Sequence, residues 1–226
     1  MNLVERAREH PLMKHFQWYG IAGSVLLLAC VAVAMSGYLG TEGERFSPLN
    51  HFISELGHVG VSRLAIVFNA GLVAAGVLYL PFTLGLGAAL GSWWAAAGAV
   101  AGLVAAVAVA CVGFFPMNDL PPHYTAAMTF FRSGLLTVLL FGIAIQRQLP
   151  DRRVVDRRAN LAGVVAVFAY AAFLLWIQFR PGGASDFHSG VIASRPAVWP
   201  SAILEWSILV AMMAWFFVVG ACRRRR

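Results

Sequence analysis

Apolar and polar positions separate along this chain on the scale of whole helices. Six stretches nearly free of charge run over about Trp18–Leu39, Val61–Leu84, Trp93–Phe115, Tyr124–Ile145, Ala159–Phe179 and Ser201–Cys222. Each is close to the ~20 apolar residues that a helix needs to cross a bilayer. The apolar positions are continuous rather than alternating, which predicts helices and argues against a transmembrane β-barrel. Pro116, Pro121 and Pro122 stop the third helix and restart the fourth, and Pro81 predicts a kink in the second. Small residues crowd spans two and three (Ala70, Gly71, Ala74, Gly76; Gly98, Gly102, Ala106), which predicts close helix packing. The pattern predicts an all-α integral membrane bundle of six transmembrane helices, one domain over residues 1–226.

Composition strengthens this reading. Of 226 residues, 60% are hydrophobic and 12% charged, about half the charged fraction of a soluble domain. The net charge of +7 is concentrated in three places. Arg6, Arg8 and Lys14 precede the first span, Arg147, Arg152, Arg153, Arg157 and Arg158 join spans four and five, and Arg223 to Arg226 follow the sixth. These places share one side of an even-numbered bundle, so the positive-inside rule puts both termini in the cytoplasm of a multi-pass plasma-membrane protein. The short juxtamembrane runs suit anionic membrane lipids, and no nucleic-acid partner is expected. Cys30, Cys111 and Cys222 fall within or beside spans and imply no disulfide framework.

Candidate chemistry collects on the opposite side. In LNHFISELGHVG, residues His51, Ser54, Glu55 and His58 are spaced for one face of a helix leading into span two, and Asn69 extends that face inward. The proline hairpin presents Asn118, Asp119 and His123, and the last outer loop holds Asp186, His188 and Arg195. Arg132 lies well inside span four, below Thr125 and Thr129, and Glu205 lies about a turn into span six. A lone charge at mid-bilayer costs about 2.5–3.5 kcal/mol on insertion scales, so Arg132 is expected to pair with Glu205 or Glu55. Glu55, His58, Asp119, His123 and Ser54 then form a catalytic or binding centre. His51, Asn69, Arg132 and Glu205 line the substrate side.

The Glu55-x-x-His58 spacing is used in bundle metal sites when another helix supplies further ligands, here Asp119 and His123. The sequence leaves the metal open and names no cofactor. Haem is disfavoured because the histidines sit at rims rather than facing each other within the membrane.

Three segments together carry a family resemblance: NHFISELG, GFFPMNDLPPHYTAAMTFF and ILEWSILVAMMAW. They resemble a bacterial and archaeal six-helix family catalogued as domain of unknown function nine-nine-eight. The resemblance implies the six-helix fold and an outer polar site, and it implies no established activity. In the last segment Trp206 stands where that family suggests a basic residue after the glutamate. Two functions follow from the residues. One is an outward-facing cleft that binds or processes a lipid or other amphiphile. The other is a non-enzymatic accessory or assembly subunit whose aromatic edges (Trp93, Trp94, Trp206, Trp215, Phe216, Phe217) pack against a membrane-protein partner.

Overall fold

A computed structural model describes residues 14–179 and 195–223, with the Arg152 side chain excepted. Asp186, His188, the leader arginines and Arg224 to Arg226 lie outside the described residues. Six helices are long and apolar enough to cross a membrane. They are α1 (Phe16–Ser36), α2 (Ala65–Leu90), α3 (Trp93–Phe114), α4 (Leu120–Gln146), α5 (Asn160–Phe179) and α6 (Pro200–Ala221). The described residues contain no strand beyond isolated bridges such as Tyr38 to Ser62.

Each helix packs on its sequence neighbours, and α6 closes on α1, so the six make a ring. Short links enforce the antiparallel order. Gly91, in the left-handed region at φ 61°, ends α2, and the Ser92 hydroxyl caps α3 by accepting the Ala95 amide. The α4–α5 link, a basic, aspartate-containing turn in sequence, is organised by the buried Gln148. Its side chain accepts the Val154 and Val155 amides and donates to the Ile145 and Val155 carbonyls.

The small residues of α2 and α3 do what their density predicts. A Cβ at Gly76 would lie 2.6 Å from the Ala106 carbonyl oxygen, and one at Gly87 would lie 2.8 Å from the Ala99 Cβ. Aromatic rings lock the half of the bundle remote from the long 37–64 connection. Phe82 meets Phe16, Trp215 and Phe216 edge-on, and Tyr79 stacks on Phe216 at 4.3 Å. Trp215 and Phe216 are therefore core residues, at 0% and 5% exposure, and not the surface aromatics that sequence suggested.

Two expectations are overturned. The helix carrying His51, Ser54, Glu55 and His58 on one face does not form; only a 3-10 turn, Ile53–Gly57, appears, and α2 starts four residues later than its apolar stretch. Gly60 sits at φ 89°, and the segment's polar groups bond to other elements, which leaves no continuous ladder to propagate. Arg132 does not enter the bundle. It is exposed on the lipid-facing side of α4, because its neighbours Phe131, Ser133 and Gly134 take the interior. Pro81 is accommodated inside an unbroken α2.

Replacing Gly76 by leucine should wedge α2 from α3 and lower stability by about 1–3 kcal/mol. Thermal unfolding of the purified variant in detergent measures this, with Val77→Leu, an exposed position, as the control expected to match wild type.

Candidate functional site

The segment from Ser47 to Ser62 folds over one end of the ring, here called the loop face, and side chains from four directions hold it there. The Asn69 amide of α2 donates to the Gly57 carbonyl at 3.0 Å. Asn118, ahead of α4, makes a paired contact with Val59, accepting its amide at 2.9 Å and donating to its carbonyl at 2.8 Å. From α6, Glu205 Oε2 accepts the Ile53 amide at 2.8 Å, and the Trp206 indole donates to the His51 carbonyl at 3.1 Å. The stretch before α6 adds a backbone bond from the Trp199 amide to the Leu49 carbonyl.

Glu55 is the hub of this lid. Arg195 grips it in a fork, Nη2 to Oε2 at 2.7 Å and Nη1 to Oε1 at 3.1 Å, and Nη1 also donates to the Asn50 carbonyl. The Glu55 carboxylate accepts the Phe52 amide at 2.8 Å and the Tyr38 hydroxyl at 3.4 Å. A planar guanidinium suits this two-point grip better than an ammonium would. Burial works against the Arg195 charge, but the bonded Glu55 outweighs it and holds the pKa above the usual arginine value. Burial, then the Glu55 charge, pushes the Tyr38 hydroxyl up.

His51 lies behind this clamp, 1% exposed, with its ring against Tyr38 and Phe46. Nδ1 lies 2.8 Å from the Asn50 Oδ1 and 3.2 Å from both the carbonyl oxygen and the amide nitrogen of Ser47. Burial lowers the His51 pKa below the ordinary value.

Beneath the lid the ring is not filled. A cavity of about 110 Å³ runs down its axis, walled by Phe68, Leu72, Ala105, Val109, Phe131, Ile208 and Met212 among others. Ser54, His123 and Glu205 line it at the loop face, and the same three line a small adjoining cavity of about 20 Å³. His123 donates from Nδ1 to the Phe115 carbonyl at 2.8 Å, leaving Nε2 as the lone-pair nitrogen. The Ser54 hydroxyl reaches Met117 Sδ at 3.2 Å rather than a histidine.

The sequence-derived candidates thus divide. Ser54, His123 and Glu205 share the cavity mouth. Glu55 and His51 sit together in the lid, and Asn69 pins it. His58 is half-buried and Asp119 exposed, and neither lines the central cavity. The expected pairing of Arg132 with Glu55 or Glu205 is replaced: Arg195 holds Glu55, and a backbone amide holds Glu205. Among the described residues no three histidine, cysteine, aspartate or glutamate side chains gather as a metal set. Sequence reasoning missed Arg195 and Asn118 as organisers of the lid; both are polar residues within two positions of a proline, a weak signal without the fold.

A family model described as Protein of unknown function (DUF998) matches residues 21–222, a span that includes every helix but the start of α1. The chain belongs to the DUF998 family. No curated protein and no solved structure matches it. In this DUF998 chain the Trp206 indole pins the His51 carbonyl to α6.

Arg195→Leu should strand a buried carboxylate and cost about 2–3 kcal/mol, somewhat less than a fully buried pair because Arg195 is partly exposed. Arg132→Leu should leave the unfolding temperature within a degree or two of wild type; equal losses in both would contradict this assignment of the ion pair.

A pH dependence follows from His51. Its folded pKa is depressed, so the unfolded chain binds the proton first as pH falls, and stability drops once pH passes below about 6.5. Unfolding temperatures at pH 7.5 and 5.5 should differ more for wild type than for His51→Gln.

Proposed function

We propose that this membrane protein binds the chain of a single-chain amphiphile inside the ring, with the head group at Ser54, His123 and Glu205. The observation that carries this reading is the apolar axial cavity ending in those three polar side chains. From Glu205 to Phe216 the lining of α6 rises over eleven residue steps, about 16 Å at 1.5 Å each. One leaflet of a bilayer is about 15 Å of hydrocarbon, so the cavity has the length of one leaflet's acyl chain.

The head-group chemistry follows from what the mouth offers. Glu205 and the His123 Nε2 are acceptors, and the Ser54 hydroxyl can do either. No lysine or arginine is among the lining residues, so a phosphate or carboxylate would find no countercharge there. A head rich in donors, such as a glycerol or an amino alcohol, matches. The positive-inside distribution of the arginines supports a mouth on the outer side of the plasma membrane. Ser54, Glu55, His58, Asp119 and His123 as a catalytic set find less support, since no serine–histidine contact is made and Glu55 is engaged by Arg195.

The test is retention of monomyristoylglycerol. Protein in nanodiscs containing this probe, released and weighed by native mass spectrometry, should carry one molecule. Ala127→Phe, at a position lining both cavities, should reduce that retention at least tenfold. Equal retention by both would remove the reading.

A second reading, docking against a membrane-protein partner, draws on a different surface. An open groove between α3 and α4 is lined by Val104, Ala108, Thr125 and Thr129, and the exposed Arg132 lies one turn beyond it. A stoichiometric partner that is lost from Arg132→Leu on native purification, with probe retention unchanged, would favour it.

A further inference from the structure

The cavity's remote end is not purely apolar. Thr83 of α2 and Trp215 of α6 both line it, at 3% and 0% exposure, and neither Thr83 Oγ1 nor Trp215 Nε1 has a hydrogen-bond partner among the described residues. Thr83 is the informative one. Other hydroxyls within these helices are satisfied by the carbonyl four residues back: Ser24 by Gly20, Thr125 by Pro121, Thr129 by Thr125, Ser133 by Thr129 and Thr137 by Ser133. That local bond is the usual outlet for a helical threonine. Thr83 forgoes it, and its hydroxyl points across to α3, into the notch left by Gly102, where any Cβ would collide with Oγ1. A buried polar atom without a partner is costly and calls for an explanation.

We propose that this end of the cavity is a neutral polar subsite centred on Thr83 Oγ1. It takes a hydroxyl or carbonyl oxygen at the tail end of the bound chain. The inference rests on the amphiphile reading above and sharpens it: the ligand carries polar groups at both ends, separated by an apolar stretch of about 15 Å, the rise from Glu205 to Trp215 along α6. The group must be neutral, because no lysine, arginine, aspartate or glutamate lines this end of the cavity. Thr137, beside the same notch, already spends its hydroxyl on Ser133 and turns its methyl toward Gly102, which leaves Thr83 as the group that discriminates.

The experiment compares monomyristoylglycerol with its ω-hydroxy analogue, loaded in equal amounts into nanodiscs and read by native mass spectrometry. Wild type should retain the hydroxylated probe about tenfold over the plain one, the equivalent of one net hydrogen bond. Thr83→Val, equal in shape but without the hydroxyl, should bring the ratio to about one while still retaining the plain probe. Thr83→Ser should keep the preference. Equal retention of the two probes by wild type, or a preference that survives in Thr83→Val, overturns the subsite while leaving the amphiphile reading standing. Retention of neither probe by wild type removes the amphiphile reading, and this inference falls with it.

Discussion

Backbone that is not helical needs partners wherever water is scarce, and the mouth of a membrane bundle is such a place. The Ser47–Ser62 segment meets that demand partly through its own turns and partly through borrowed side chains: Asn69, Asn118, Glu205 and Trp206 each take one or two of its amides and carbonyls. The Arg195–Glu55 fork then ties the segment to the start of α6. This cross-bonding decides everything above the cavity. It keeps Ser54 beside His123 and Glu205, and it caps an interior that would otherwise open to the surface.

The lid and the ring make opposite use of polar residues. In the ring, most threonine and serine hydroxyls bond their own helix and leave the packing to glycine, alanine and aromatic rings, so that α2 and α3 approach closely at Gly76 and Ala106. In the lid, amides and carboxylates reach between elements, where each bond fixes two segments at once. Thr83 breaks the ring's habit, and for that reason it marks the remote end of the cavity as different from the walls around it. On the proposed reading, a cavity with acceptors at one end and an unspent hydroxyl at the other suits a longer, more particular ligand than an oily void would.

Arg132 shows how charge can mislead a reader of sequence. Its depth in an apolar span argues for an internal partner, and Glu55 and Glu205 are the obvious acids. Helical phase decides otherwise: with Phe131 and Gly134 turned inward, Arg132 must face outward. The arginine that does pair with Glu55 lies 140 residues away in sequence, in a proline-rich stretch whose periodicity carries no information.

Hydropathy alone determined the six helices, their order and their antiparallel connection, because a bilayer imposes one length and one internal bonding scheme on every crossing segment. The small-residue density of spans two and three likewise announced their close contact. Which polar residues meet was decided only by tertiary structure. His51, Ser54, Glu55 and His58 carry a helical spacing, but the lid's glycines and its bonds to distant side chains offered its backbone better partners than a helix of its own. Local spacing records what a segment could form by itself, whereas the cavity and its mouth arise from contacts between segments that the spacing never encodes.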